Sequence, residues 1–391
     1  MTWPTVALSE VCEINVGRTP SRSEPAYWGP STPWLSIADM NQGRDLVGTK
    51  ETITDLAVKG ATAKLVVPGT VLLSFKLSIG KVGIARLPMF TNEAIAALPI
   101  RDPSILLSDY LCWALASMDL TGGANRAAMG ATLNKAKLRQ VMIPLPSMDE
   151  QRRIAAILDQ ADGLRAKRRA ALVHLDHLAE SMFVDLFGHE GDDAQSWPRE
   201  PLKDLAEVIT KGTTPTSVGF QFTESGVPFV RVQNLVGATV DFAPGALFID
   251  SKTHVALKRS RILPGDILVS IAGTIGRTSI VPLDAKEMNC NQAVAIVRLK
   301  AGVNRHFVRA WLSSADAHRQ VSASAVTATI SNLSLSQLGL LQIIQPPASL
   351  QDEFSDRLGS VTALKDLCAK SQLRIESLFA SVQSRAFAGE L

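Results

Sequence analysis

The sequence predicts an α+β protein. Two tandem β-rich globular domains are separated by two long helices that pair as an antiparallel coiled coil, with internal pseudo-two-fold symmetry. Three observations predict this. The chain of 391 residues is written twice at about half its length. Each copy opens with short apolar runs bounded by Gly/Pro turns, the pattern of strands with buried faces. Each copy closes on a proline-free stretch whose apolar positions recur at alternating three- and four-residue steps.

The composition sets the limits within which this reading holds. With 46% hydrophobic and 20% charged residues the chain reads as a soluble globular protein, and a disordered, collagen-like or mucin-like class does not fit. No apolar run reaches the roughly 18 residues of a membrane span; the stretch 65–75 is broken by Pro68 and Gly69. Met1-Thr2-Trp3-Pro4 has no basic or apolar leader pattern, so no secretory signal is expected. Cys12, Cys112, Cys290 and Cys368 form no C-x-x-C pair and read as reduced core residues of a cytoplasmic protein. Forty basic against 37 acidic residues leave a formal charge of +3, so any nucleic-acid contact must come from local patches.

The elements follow in order. Leu8-Ser9-Glu10-Val11-Cys12-Glu13-Ile14 corresponds to Leu202-Lys203-Asp204-Leu205-Ala206-Glu207-Val208, and Gly17-Arg18-Thr19-Pro20 to Gly212-Thr213-Thr214-Pro215, each a short helix entering a turn. Pro33-Trp34-Leu35-Ser36-Ile37 matches Pro228-Phe229-Val230-Arg231-Val232 as a strand. Val67-Pro68-Gly69-Thr70-Val71-Leu72-Leu73-Ser74 matches Leu263-Pro264-Gly265-Asp266-Ile267-Leu268-Val269-Ser270, a Pro-Gly turn that opens a strand. Ile79-Gly80-Lys81 pairs with Ile275-Gly276-Arg277, and Asn92-Glu93-Ala94-Ile95-Ala96 with Asn291-Gln292-Ala293-Val294-Ala295.

The copies end in register at an offset of 200, with Ile143, Pro146, Gln151, Leu158, Leu164, Leu178 and Phe187 answered by Ile343, Pro346, Gln351, Leu358, Leu364, Leu378 and Phe387. Between Asp149 and Leu186 there is no proline and one glycine, Gly163, which predicts one helix roughly 55 Å long. Its seam is Ile154, Ile157, Ala161, Leu164, Ala171, Leu175, Leu178 and Met182, interrupted by Arg168. The second seam is Leu350, Phe354, Val361, Leu364, Cys368, Ile375, Leu378 and Val382. Helices this long cannot bury their stripes within a small domain, so mutual pairing is expected. The organisation is therefore a first globular domain at 1–147, a long helix at 148–188, a polar linker at 189–198, a second globular domain at 199–346 and a distal long helix at 347–391.

Two similar domains on a rigid spacer suit a ligand that repeats along a line, and double-stranded DNA is the obvious one. The candidate contacts are polar loop residues placed at matching points of the two copies. They are Arg18, Arg22, Asn41, Lys76 and Lys81 in the first domain, and Lys211, Thr213, Arg231, Asn234, Arg259, Thr274 and Arg277 in the second. Arg and Lys read guanine, Asn and Gln read adenine, and small hydroxyls hold phosphate. Each such residue on its own is more simply a solvated turn group. Their recurrence in both copies supports the binding reading.

Four alternatives exist. Asp266 with Asp284 and Lys286 has the groups of a magnesium-dependent nuclease, although Thr70 at the matching position of the first copy cannot serve. His174 and His177 with Glu180 could share a metal, against the simpler reading of a solvated helix flank. The cluster Arg165, Lys167, Arg168 and Arg169 suits phosphates or a solvated face equally, and a scaffold binding only proteins would use the same paired domains.

These residues carry a family resemblance. Pro264-Gly265-Asp266-Ile267-Leu268-Val269-Ser270, Ile143-Pro144-Leu145-Pro146 and Asp149-Glu150-Gln151 leading into a long helix that ends in Met182-Phe183-Val184-Asp185-Leu186-Phe187-Gly188, all in a duplicated order, resemble the specificity subunit of Type I restriction–modification systems. The distal copy departs at Gln345-Pro346-Pro347 and Leu350-Gln351 but keeps Gln351 and the seam. The resemblance implies a non-catalytic reader whose two target recognition domains each bind one half of a bipartite, asymmetric DNA site. It implies two adenine-N6 methyltransferase partners, to which two motor-nuclease subunits can add. S-adenosylmethionine, ATP and magnesium would belong to those partners, and no cofactor to this chain. The sequence agrees with that division: it has no G-x-x-x-x-G-K-[ST] loop, no Asn-Pro-Pro-aromatic run and no G-x-G-x-x-G fingerprint.

Overall fold

The computed structural model describes residues 3–60, 64–120, 133–188, 197–242, 245–323 and 332–391. The expected linker at 189–198 thus lies outside the described residues, apart from Trp197 and Pro198. Contacts along the chain define two compact units, Met1–Ala170 with Ala369–Leu391, and Ala171–Cys368. Both mix helix and sheet, and they are built alike.

In the first unit the strand Thr5–Ala7 pairs antiparallel with Met142–Pro144, joining the two ends of the globular part. The main sheet runs Asn15–Val16, Ile95–Leu98, Val71–Ser74, Val82–Ala85, Asp45–Leu46, antiparallel except for the last pair. Its central strands are covered on both faces. Val71, Leu73, Ala96 and Leu98 pack with Tyr110, Leu111 and Trp113 of the helix Ser108–Ala116, whereas Leu72, Ile95 and Ala97 pack with Leu35, Met40 and Met89. Burial on both sides explains why Val71-Leu72-Leu73 is continuously apolar instead of alternating.

The second unit repeats this plan. Arg199–Pro201 pairs with Gln342–Ile344, and the main sheet runs Ala206–Lys211, Val294–Leu299, Ile267–Ser270, Thr278–Ile280, Thr239–Val240, Leu235–Val236. Ile267, Val269, Ala295 and Val297 face Phe307 and Trp311 of the helix Arg305–Leu312; Leu268, Val294 and Ile296 face Val230, Met288 and Cys290. The central registers agree: Leu73 lies opposite Ala96 in one unit and Val269 opposite Ala295 in the other.

Long helices run over Met148–Phe187 and Ala348–Ala388. Gln151 pins the start of the first one. Fully buried, its Nε2 donates to the carbonyls of Ile105 (2.8 Å) and Pro146 (3.0 Å), and its Oε1 accepts the Leu107 amide (3.0 Å). Gln351 repeats the bond to Pro346 at 2.9 Å. In the first unit Trp113 packs on Phe379 and donates its indole N–H to Asp159 at 2.7 Å, while Arg44 bridges Asp109 and Asp159. In the second unit Phe183, Phe187, Phe307 and Phe354 form one aromatic cluster with ring centres 4.9–5.9 Å apart.

The helix segments of each unit run antiparallel, and one ion pair occurs in both. Arg165 meets Glu376 at 2.6 Å, and Lys365 meets Asp176; each member lies 200 residues from its counterpart. The predicted seam needs correction at four positions. Ile154, Phe354 and Val361 are buried and Ile157, Leu175 and Ile375 half-buried, but Leu164, Leu178, Leu364 and Leu378 are 52%, 45%, 51% and 61% exposed. Uniform spacing assumes one partner along the whole helix. Here the ends instead bury Leu158, Phe183, Phe187, Leu358 and Phe379 in the cores of the units, and the middle is occupied by the charged pairs. Among the described residues no helix is long and apolar enough to cross a membrane. All four cysteines are free, and burial pushes the Cys12 and Cys112 thiols up to about 12, as for inert core residues.

Candidate nucleic-acid interface

In each unit the loops at one end of the main sheet are tied together by their own backbone. In the first unit the Arg18 amide donates to Thr91 O (2.8 Å), the Asn92 amide to Leu35 O (3.1 Å) and the Phe75 amide to Ala94 O (2.9 Å). In the second, Thr213 donates to Cys290 O (3.0 Å), Asn291 to Val230 O (3.2 Å) and Ile271 to Ala293 O (2.8 Å). Glycine is obligatory where the loops cross: a Cβ on Gly17 would stand 2.2 Å from the carbonyl oxygens of Thr91 and Asn92, and one on Gly212 2.0 Å from that of Cys290.

The loop after the central strand is locked identically in both units. The Ser74 hydroxyl donates to Ser78 O and accepts the Lys81 amide at 2.9 Å; the Ser270 hydroxyl donates to Thr274 O and accepts the Arg277 amide at 2.8 Å. The same framework thus carries Lys81 in one unit and Arg277 in the other. Lys81 Nζ is engaged by Asn41 Oδ1 (2.7 Å) and Ile37 O (3.3 Å), whereas the Arg277 side chain is exposed. Between the lock points Leu77 adopts φ 62° with 90% exposure, and its counterpart Gly273 adopts φ 73°. A left-handed backbone costs an L-residue about 1–2 kcal/mol.

The other predicted contacts separate into three groups. Arg18, Lys76 and Lys81 stand on the first loop set, and Lys211, Thr213, Thr274 and Arg277 on the second. Arg22 lies over the Trp28 ring at 3.8 Å and forms a forked pair with Glu51 (2.5 and 3.0 Å), which holds the Glu51 carboxyl below its ordinary range. Arg231 donates to Gly245 O at 2.7 Å. Arg259 stands apart, in a cleft of about 440 Å³ with Lys258, Arg261, Glu287 and Arg298, near the opposite end of the central strands.

Asn234 is a correction. It is buried, its Oδ1 accepts the Arg231 amide (2.9 Å) and its Nδ2 donates to Asp241 O (2.9 Å), so it shapes the loop and has no free edge for a base. Asp39, 195 residues earlier, does the same work with the amides of Ser36 (2.9 Å) and Lys50 (3.2 Å). Sequence reasoning missed Asp39, Leu77, Trp28, Glu51 and Glu93. Glu93 accepts the Thr19 hydroxyl, which holds its carboxyl below the ordinary range, and Thr214 makes the matching bond to Gln292. The repeat alignment held the signal for Asp39 and Glu93, since their partners Asn234 and Gln292 differ only in charge.

The family model for the Type I restriction modification DNA specificity domain matches residues 1–173 and again 195–377. The chain belongs to that family. The specificity subunit of the Type I restriction enzyme MjaIX from Methanocaldococcus jannaschii is 25% identical over 90% of this chain and 85% of its own length. A structure from work on complex assembly and conformational transition of the type I R-M system aligns over 100% of this chain and 98% of its own, with TM-score 0.61 and 18% identity. The Type I restriction–modification S subunit from M. genitalium aligns over 99% and 96%, with TM-score 0.55 and 15% identity. At those identities the two structures share the fold. The specificity family thus accounts for both halves of this chain, and its duplicated match coincides with the duplicated loop framework.

The nuclease alternative fails within this specificity chain. Asp266 is 1% exposed, forked with Arg298 (2.9 and 2.8 Å) and also accepting the Leu263 amide (2.7 Å), while Asp284 and Lys286 are exposed on the following loop. The buried carboxylate is committed to Arg298 and to the Leu263 amide, which makes it a structural anchor of the Pro-Gly-Asp turn. Among the described residues no cluster of three His, Cys, Asp or Glu could hold a metal ion, and His174 and His177 lie exposed on their helix.

Proposed function

We propose that this chain is the sequence reader of a Type I restriction–modification complex. Each globular domain reads one half of a bipartite, asymmetric DNA target through its loop set. The two long helices pair as an antiparallel coiled coil about a pseudo-two-fold, set the spacer between the half-sites, and dock two adenine methyltransferase subunits. Two motor-nuclease subunits complete the assembly. S-adenosylmethionine, ATP and magnesium are held by those partners in the cytoplasm, and this chain performs no chemistry of its own.

The observation that carries this reading is one loop framework built twice with different side chains. Ser74 and Ser270 lock the same turn, yet it presents Lys76, Leu77 and Lys81 in one domain and Ala272, Gly273 and Arg277 in the other. Recognition of two different half-sites needs a constant scaffold with variable contacts, because base edges are distinguished by the chemistry that meets them. The matched exposed leucines, Leu164 and Leu378 in one unit and Leu364 and Leu178 in the other, suit two copies of one partner.

Methylome sequencing of the host with and without this chain tests the proposal. A split adenine-methylated motif that disappears with the chain is the expected result; an unchanged methylome refutes it. Binding of the assembled complex to that motif should fall steeply as salt rises, since phosphate contacts release counterions.

A further inference from the structure

We infer that Leu77 is a specificity-determining side chain, an apolar reader in the first domain that takes the 5-methyl edge of a thymine and has no equivalent in the second. The inference rests on the DNA-reading function proposed above. Leu77 is 90% exposed and sits at φ 62°, where glycine is the ordinary occupant. The matched loop shows what the fold itself asks for. Gly273 holds φ 73° there, with the Gly276 amide on Ser270 O at 3.0 Å just as the Gly80 amide is on Ser74 O at 3.0 Å. The two loops share these hydrogen bonds and the serine lock, so leucine at this point is not needed to make the turn. It buries nothing, and it strains the backbone.

A residue that strains the backbone and stays 90% exposed, burying little against the described residues, points to a contact made in a complex. The neighbours of Leu77 indicate which contact. Lys76 is half-buried with its amine 5.4 Å from the Phe75 ring centre, and Lys81 is anchored on Asn41. An apolar tip on a loop that also carries two cations matches a groove whose walls are phosphates and whose floor shows base edges. On that floor the thymine methyl is the one apolar group. A rigid left-handed turn also presents the side chain with little freedom to lose on binding.

The experiment selects bound duplexes from a randomised library using the full chain in its complex with the methyltransferase subunits. If wild type enriches no motif, the DNA-reading function itself is wrong and this inference falls with it. With a bipartite motif in hand, Leu77→Gly should fold with an unchanged or raised Tm, because it copies Gly273. It should lose the preference for one thymine in the first half-site by about four-fold, the worth of one buried methyl, and leave the second half-site untouched. Leu77→Asn, polar but tolerant of the left-handed region, should show the same loss. Replacing that thymine by uracil should weaken wild type about four-fold and the Leu77→Gly complex not at all. Identical motifs for wild type and both variants, or equal sensitivity of wild type and variant to uracil, would overturn the assignment.

Discussion

Ser74 and Ser270 each spend one hydroxyl on two backbone groups, and this leaves the side chains around them free to differ. Asp39 and Asn234 do likewise for the turn after the preceding strand. A division between residues that hold the loop and residues that it presents separates Asn234 from Arg277, although both are polar loop residues. Asp266 belongs with the holders. Its carboxylate is buried, while its partner Arg298 is 28% exposed. Asp266→Asn removes the charge that satisfies the arginine and weakens the bond to the Leu263 amide, a combination worth about 2–3 kcal/mol for a partly buried pair. Denaturant unfolding should show this loss. A variant as stable as wild type would mean that Asp266 is not a structural anchor, and magnesium-dependent cleavage lost on substitution would restore the nuclease alternative.

The long helices join aromatic ends to charged middles. In each unit one basic and one acidic residue meet across the pair, Arg165 with Glu376 and Lys365 with Asp176. The hydrogen bond from Arg165 holds the Glu376 carboxyl below its ordinary 4.5. A depressed acid contributes stability that is fully present above the ordinary value and is lost as pH falls through the lower folded value. Thermal melts should therefore show wild type ahead of Glu376→Gln at about pH 7, by less than about 1 kcal/mol since Glu376 is 37% exposed, with the gap closing as pH falls below the ordinary carboxylate value. A gap that persists unchanged in acid would assign the effect to packing. The extents of both helices were legible in the sequence, because proline-free runs and Gln151/Gln351 mark them. So were the central strands Val71–Ser74 and Ile267–Ser270, through Pro-Gly turns and continuous apolar runs, but not the order in which strands pair. The exposure of Leu164, Leu178, Leu364 and Leu378 was not legible: a three- and four-residue count assumes a single partner, and the ends of these helices choose Phe183, Phe354 and Phe379 instead. Leu77 was also hidden, since no pattern of residue types announces a leucine in a glycine's backbone conformation.

For the whole molecule, duplication means that every surface feature of one unit can be checked against the other. Exposed apolar groups that match between units differ in meaning from those that do not. Leu77 has no apolar counterpart, since Gly273 stands at the matching point, and is therefore proposed to serve one half-site alone. Leu164 and Leu378, exposed in the first unit, are answered by Leu364 and Leu178 in the second, each 200 residues from its counterpart. Large apolar side chains held in water at matched points fit a partner present in two copies, and they predict poor behaviour of the isolated chain. Glutamate at Leu164 and Leu378 should leave Tm nearly unchanged, because exposed substitutions usually fall within about 0.5 kcal/mol. It should remove one methyltransferase from the assembly. Glutamate at Leu178 and Leu364 should remove the other, and all four together should leave the chain soluble and alone. Native mass spectrometry of the co-expressed complexes reads the stoichiometry directly. Two methyltransferases retained by the four-fold variant would move the docking surface off these leucines and leave their exposure without a partner.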